Sequence, residues 1–226
     1  MTSAADRVPL AAKLGFTVWM AVWVPAYWIH NGWTNFLWLC DLANFVTLAA
    51  LWTGSALLAS SQLAGVLLIQ ALWAADFFGR LLFGVHPIGG TEYMFDPAEP
   101  LWLRALSLFH LWTVPLLIWL VRRTGHDRRG WKLESALALV VFPLGQWLGT
   151  REQNLNWTWA PFGVEQTWLP PLPFALLAAA LSAFALFLPG DLLTRSWLIA
   201  SHRGGARLSP SSGGTAPRPR PPAAGG

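Results

Sequence analysis

An apolar stretch at residues 100–123 constrains the fold most, because it is long enough to cross a lipid bilayer. It reads PLWLRALSLFHLWTVPLLIWLVRR, and a membrane-spanning helix needs about 20 predominantly apolar residues. Arg104 lies near one end of the stretch and His110 near its middle. A polar group at that depth is costly and usually faces the interior of a helix bundle. The stretch therefore predicts a transmembrane helix whose His110 faces the protein interior.

Five further apolar segments predict the other spans of a helical bundle. Only 12% of the 226 residues are charged, whereas a soluble domain carries about 25%. We therefore predict an all-α fold, a polytopic membrane bundle of six transmembrane helices at residues 1–189. Residues 190–226 are rich in Gly, Pro, Ser and Arg, which predicts a disordered cytoplasmic tail. The five segments are residues 10–29, 35–52, 56–78, 131–148 and 171–188.

The positions of the basic residues predict the orientation of this bundle. Most of them lie in the loop at residues 122–132 and in the tail at residues 190–226, which six spans place on the side of the N-terminus. The positive-inside rule then predicts two cytoplasmic termini in a bacterial cytoplasmic membrane. The net charge is +4, but charges beside apolar segments are topology signals. Membrane lipids, not nucleic acids, are therefore the predicted partners, and the oligomeric state is left open.

Polar residues concentrate in the predicted outer halves of the spans and in one outer loop. This distribution predicts a polar cavity that opens toward the outer leaflet. The chain has one cysteine, so an intrachain disulfide is excluded. The candidate site residues are Cys40, Asp41 and Asn44 in the second span, Ser107 and His110 in the fourth, and Asn154 and Asn156 in the loop before the last.

Each candidate also has a purely structural interpretation. A single cysteine in an apolar helix is most often a small buried hydrophobic residue, and His110 could simply hydrogen-bond a neighbouring helix. Asp76 and Arg80 lie four residues apart on one helical face, which predicts a neutralising ion pair. Metal binding by Cys40, Asp41 and His110 is a weaker interpretation, because no ligand-pair motif accompanies them. Neither a metal nor a cofactor is predicted.

Three sequence features resemble a broad family of membrane proteins. They are the string FLWLCD at residues 36–41, His110 followed five residues later by Pro115, and an Asn-containing, aromatic-rich loop before the last span. Together they resemble bacterial integral membrane proteins related to transmembrane protein 164, a lipid acyltransferase. More distant relatives would be the androgen-induced-gene-1-like hydrolases of fatty-acid esters of hydroxy fatty acids. Bacterial members often carry a histidine beside the cysteine, whereas the string here has none.

The resemblance covers roughly residues 10–190 and implies about six spans, with Cys40 as nucleophile and His110 as the histidine of the site. A neutral histidine within hydrogen-bond reach can deprotonate a thiol and later protonate the leaving alkoxide. Asp41 could then orient the imidazole or stay protonated, Ser107 would contact the substrate, and Asn44, Asn154 or Asn156 could donate to an oxyanion.

Two functional classes follow from these residues. The first is a lipid acyl hydrolase or acyltransferase, with water or a lysolipid as the acceptor of the acyl group. We expect Cys40 and His110 to face one another across the interface of the second and fourth spans, with roughly 3–4 Å between sulfur and nitrogen. The second class is a non-catalytic scaffold or a module that binds a lipid, a quinone or a metal. A transporter is disfavoured, because the sequence contains no internal repeat.

Overall fold

The structure, a computed structural model, describes residues 4–207 and is all-helical. Within that range there is no β-strand, which agrees with the predicted all-α class. Short 3-10 turns connect the main helices. The main helices are α1 (Leu10–Asn31), α2 (Leu39–Thr53), α3 (Ala56–Phe83), α4 (Leu101–Ser107), α5 (Phe109–Thr124), α6 (Gly130–Leu148), α7 (Pro171–Ser182) and α8 (Leu188–Arg207).

Four segments of the chain are long and apolar enough to cross a membrane. They are Leu10–Asn31, Ala56–Phe83, Leu101–Thr124 and Pro171–Leu198. The third combines α4 and α5, and the fourth joins α7 to α8 through a π-helical turn at Ala183–Phe187. This finding supports the prediction that the chain is a multi-pass membrane protein. The count of six spans stays a prediction, because α2 is shorter and α6 does not reach the same apolarity.

Helix α3 is the centre of the fold. It packs against α2, α5, α6 and α8, and its buried Leu63 and Val66 join a hydrophobic core with Trp23 of α1 and Phe109 and Leu117 of α5. A second core lies between α6 and α7. Because α3 contacts elements on several sides, it fixes the positions of the helices that carry the candidate residues.

Small residues let two other helices approach α3 closely. A Cβ atom added at Gly130 of α6 would lie 2.7 Å from the backbone carbon of Ser60, and one added at Gly190 of α8 would lie 2.8 Å from the carbonyl oxygen of Ala64. Close backbone approach through small residues is the usual basis of helix packing where water is absent. Because glycine has no side chain, these two positions determine how closely α6 and α8 approach α3.

The break between α2 and α3 follows from two capping residues. Gly54 ends α2 in the left-handed conformation, with a φ of 66°, which costs glycine little. The Ser55 hydroxyl then accepts a hydrogen bond from the backbone N–H of Leu58, as an N-cap does. The two helices consequently run antiparallel and in direct contact.

Three predicted boundaries are wrong, one of them because α3 continues past residue 78 to Phe83. Helix α2 begins at Leu39 and not near residue 35, because Trp33–Leu37 forms a 3-10 turn and Trp38 is extended. The tail predicted at 190–226 does not begin at residue 190, because α8 continues to Arg207. In that helix Asp191 is 1% exposed and pairs with His126 and Arg195, so the segment is tied to the bundle. The remainder of the predicted tail, at 208–226, lies outside the described residues.

The packing of α8 on α3 is tested by comparing two helical glycines. Gly190→Ala places a methyl group against the Ala64 carbonyl, whereas Gly15→Ala meets no atom within 4 Å. Alanine favours a helix over glycine by about 1 kcal/mol at both positions. We expect Gly15→Ala to keep or raise the free energy of unfolding and Gly190→Ala to lower it by about 1–3 kcal/mol. Thermal unfolding of the detergent-solubilised protein measures this difference, and equal effects would contradict the packing.

Candidate functional site

An open cavity of about 940 Å³ lies between the helices and the loops at residues 84–100 and 149–170. Its walls come from α1, the start of α2, α3, the α4–α5 segment and α7. Six of the seven candidate residues line this one cavity, although they come from three separate parts of the chain. They are Cys40, Asp41, Ser107, His110, Asn154 and Asn156.

The cavity has an apolar side and a polar side. On the apolar side, α7 presents Phe174, Leu177 and Leu181, which recur at three- to four-residue spacing and so share one helical face. Residues from α3 and α6 extend this surface. The polar side carries Asn35, Asp41, Arg104, Ser107 and the glycine-containing loop at residues 88–90. Ligand pockets commonly combine such an apolar lining with a few convergent polar groups.

His110 is held in a fixed orientation. Its Nδ1 lies 2.8 Å from the carbonyl oxygen of Ser107, and its ring stacks on Trp73 at 4.5 Å and on Phe109 at 4.0 Å between ring centroids. A carbonyl oxygen only accepts hydrogen bonds, so Nδ1 carries the proton and donates it. In the neutral ring, Nε2 is then the atom with a free lone pair.

Cys40 shares the cavity with His110 but is not hydrogen-bonded to it. Cys40 is a free, partly buried residue in the first turn of α2. Among the residues that the structure describes, no hydrogen bond joins the two side chains. The ring of His110 is clamped by α3 and by its own helix, whereas Cys40 belongs to α2. A shared cavity is therefore present, but the described residues show no hydrogen bond between the sulfur of Cys40 and a ring nitrogen of His110.

The predicted role of Asp41 as the group that orients the imidazole is wrong. Its carboxylate accepts a hydrogen bond of 2.5 Å from Nδ2 of Asn35, and the Ser107 carbonyl orients His110 instead. Asp41 is 3% exposed and still lines the cavity. It therefore contributes a carboxylate to the polar side without serving the histidine.

Both tyrosines of the chain line the cavity, and the sequence-based reasoning missed them. The hydroxyl of Tyr27 on α1 is hydrogen-bonded to the hydroxyl of Ser107, and Tyr93 interacts with Ser107 and Trp73. The chain contains only two tyrosines but thirteen phenylalanines and sixteen tryptophans. Their rarity beside so many phenylalanines and tryptophans was the signal that could have identified them as polar site residues.

The two candidate asparagines in the loop before α7 are structural residues. Asn156 accepts a hydrogen bond of 2.9 Å from the backbone N–H of Leu39 and donates one of 2.7 Å to the carbonyl of Leu37. Asn154 similarly bonds three backbone groups of its own loop, at residues 159 and 160. Both adopt positive φ angles of 43° and 52°, which asparagine tolerates better than most residues. Their amides shape the cavity wall, and the predicted role as oxyanion donors is not the one the geometry gives them.

Asn44 does not line the cavity, so its predicted role in substrate binding is wrong. It is fully buried, and its amide nitrogen lies 3.5 Å from the carbonyl oxygen of Cys40, one turn earlier in the same helix. Its position on α2 directs the side chain into the helix packing. Asn44 is thus an internal polar residue behind the site.

The predicted ion pair of Asp76 with Arg80 is also wrong. Asp76 is fully buried and accepts four hydrogen bonds, from the side chains of His86 and Thr91 and from the backbone N–H groups of Ile88 and Gly89. Arg80 instead donates to the carbonyl of Gly84. The loop at residues 86–91 is consequently anchored to the end of α3, and part of it lines the cavity.

A metal centre finds no support in this geometry. Within residues 4–207, no three or more His, Cys, Asp or Glu side chains are grouped closely enough to hold a metal ion. Cys40, Asp41 and His110 share a cavity but do not form such a group. The metal-binding alternative from the sequence is therefore set aside.

Comparisons of the chain with protein-family models, with curated proteins and with solved structures found no match. The resemblance to the proteins related to transmembrane protein 164 therefore stays a prediction from the sequence, and the function has to be argued from the cavity itself.

The structural role of Asn156 predicts a loss of stability on substitution. Asn156→Ala leaves the Leu39 N–H and the Leu37 carbonyl without this partner, which should lower the free energy of unfolding by about 1–3 kcal/mol. Asn31→Ala is the matched control, because Asn31 also lines the cavity but its side chain makes no hydrogen bond within the described part of the chain. Thermal unfolding of both variants checks the difference. A stable Asn156→Ala protein would return this residue to the list of ligand-binding groups.

Proposed function

We propose that this chain is a multi-pass membrane protein that binds a lipid-like amphiphile in the cavity between α2, α3, α5 and α7. The supporting observation is the mixed lining, with hydrocarbon-compatible residues on α7 and polar side chains on the segments at residues 35–41 and 104–107. The apolar side suits an alkyl or acyl chain, and the polar side suits a head group. An amphiphile is the class of ligand that satisfies both sides at once.

We further propose six spans with both termini on the cytoplasmic side of a bacterial cytoplasmic membrane. The four long apolar segments support this, with α2 and α6 as the two additional crossings. Contacts also support it: Arg7 and the end of α5 exchange hydrogen bonds through the Thr124 carbonyl and Arg123, and His126 pairs with Asp191 of α8. These contacts bring the basic segments together, which supports placing them on one side of the membrane under the positive-inside rule.

Within this cavity we propose acyl transfer by Cys40 and His110. The thiol proton moves to Nε2 of His110, the sulfur bonds to the acyl carbon, and the bond from that carbon to the alcohol oxygen breaks. His110 returns the proton to the leaving oxygen. Water or a lysolipid hydroxyl then takes the acyl group from sulfur, which restores the thiol. The fixed tautomer of His110 favours this chemistry, because it leaves Nε2 as the proton acceptor.

Non-catalytic lipid binding is the second candidate function. The specific observation in its favour is that Cys40 and His110 are not hydrogen-bonded to one another, so the acyl-transfer reaction requires them to approach when the ligand binds. The two functions share the same cavity and the same ligand class. They differ only in whether a covalent acyl–sulfur bond forms.

The proposed orientation predicts the outcome of reporter fusions. A reporter placed after Gly226 should be active in the cytoplasm, and one inserted near Gly90 should be active on the outer side of the membrane, because six spans place the cavity loops and the basic segments on opposite sides. An outer location of the C-terminal reporter would overturn the proposed orientation.

Filling the cavity tests the proposed binding. Leu177→Trp adds an indole to the cavity wall. Leu176→Trp adds one at the preceding position of α7, where the leucine is 41% exposed and does not line the cavity. We expect crosslinking of a photoactivatable acyl ester to fall at least about tenfold in Leu177→Trp and to stay unchanged in Leu176→Trp. Equal crosslinking of both variants would refute the cavity as the binding site.

The same acyl ester separates the two candidate functions. Cys40→Ala and His110→Gln should each abolish transfer of its acyl group to the protein while photocrosslinking persists, if the cavity catalyses acyl transfer. Persistent crosslinking with no transfer in the unsubstituted protein would instead assign the non-catalytic function. Mass spectrometry of the labelled peptide containing Cys40 identifies the acyl–sulfur product directly.

A further inference from the structure

Among the residues that the structure describes, Arg104 is the one lysine or arginine that lines the cavity. Arg104 forms no ion pair with any carboxylate in the part of the chain that the structure describes. Its guanidinium makes one hydrogen bond, of 3.0 Å, from Nη1 to the carbonyl oxygen of Met94. Its Nε is buried and has no hydrogen-bond partner. Most donors of this guanidinium therefore remain free beside the cavity.

Arg104, which is partly buried, differs in this respect from several other charged groups of the fold. Arg195 pairs with Asp191, and Asp76 and Glu134 accept hydrogen bonds from neighbouring side chains. An unpaired charge within a long apolar segment is costly, and such charges usually face a cavity and mark a functional site. Arg104 thus lies at the cavity as a ligand-binding group would, with no counter-ion in the described part of the chain.

We propose that Arg104 selects the head group of the bound amphiphile, and that this head group carries a single negative oxyanion. This inference rests on the proposed function, since it names the class of amphiphile that the cavity takes. Arginine presents five N–H donors in a planar fork that matches the oxygens of a carboxylate or phosphate. A carboxylate and a phosphodiester share this chemistry.

An acidic side chain of the cavity restricts the head group further. One partly buried carboxylate, that of Glu99, lines the same cavity. A second negative charge on the head group would meet the Glu99 carboxylate without meeting a second cation among the described residues that line the cavity. Like-charge juxtaposition is an effective means of rejecting a ligand. A monoanionic head group is therefore favoured over a dianionic phosphomonoester.

The position of Arg104 also places the chain of the ligand. Arg104 precedes His110 by six residues, which is about 9 Å along a helix axis, and both line the cavity together with Leu103 and Ser107. An amphiphile whose head contacts Arg104 can thus extend past His110 toward the apolar face of α7. The head-group site and the proposed reaction site are consequently separate parts of one cavity.

Matched pairs of ligands test this inference on the full chain in lipid nanodiscs. Each pair has one acyl chain and differs in charge: a fatty acid against the fatty alcohol, and lysophosphatidylglycerol against monoacylglycerol. We expect the anionic member of at least one pair to bind at least about tenfold more tightly, because hydrogen bonds to charged groups are the stronger ones. The pair that shows the larger preference identifies the oxyanion as carboxylate or phosphodiester.

Substitutions then assign the preference to Arg104. Arg104→Gln should remove it while the neutral ligands bind as before, and Arg104→Lys should keep part of it, which guards against a variant that fails to fold. Glu99→Gln is the control in the same cavity and should not weaken the binding of the anionic ligands. An equal affinity for charged and neutral ligands, or a preference that survives Arg104→Gln, would overturn the inference but leave amphiphile binding intact. If Leu177→Trp weakens none of the four ligands, the proposed function itself fails.

Discussion

Close packing of helices on α3 is the constraint on which the rest of this structure depends. Backbone segments of α6 and α8 approach α3 at Gly130 and Gly190 without room for a side chain, and α2 and α5 pack on its other sides. In a lipid environment, van der Waals contact of this kind replaces much of the hydrophobic driving force available in water. With its neighbours fixed at these distances, α3 presents Trp73 to the ring of His110. The site geometry is therefore a product of the packing on α3.

Two polar side chains, one buried and one partly buried, attach the loops of the cavity to this helical frame. Asp76, at the end of α3, collects four hydrogen bonds from the loop at residues 86–91, and Asn156 joins the loop before α7 to the start of α2. Backbone polar groups at such positions require partners when water is scarce. Because both loops are fixed by specific polar contacts, the cavity has walls of defined shape, as a binding site requires.

Apolar periodicity and charge were sufficient to predict the helical class and most helix boundaries, whereas the grouping of Cys40 with His110 also needed the predicted depth of the polar residues and the family resemblance. They could not predict individual partners, because these depend on how loops fold back in space. The spacing of Asp76 and Arg80 suggested an ion pair, but loop N–H groups more than ten residues away reach the carboxylate instead. Tyr27 was missed for a related reason: within an aromatic-rich span, only its contact with Ser107 shows that its hydroxyl belongs to the site.

The π-helical turn at Ala183–Phe187 allows one long helix to serve two unrelated surfaces. A residue added to an α-helix rotates everything beyond it by about 100°, and π-helical turns act as such insertions. Before the turn, α7 directs Leu177 and Leu181 into the cavity; after it, α8 buries Asp191 against the loop between α5 and α6. Because of this turn, the two halves of the helix direct their side chains at independent angles. The residues that face the cavity can therefore diverge during evolution without disturbing the residues that secure the helix at its other end.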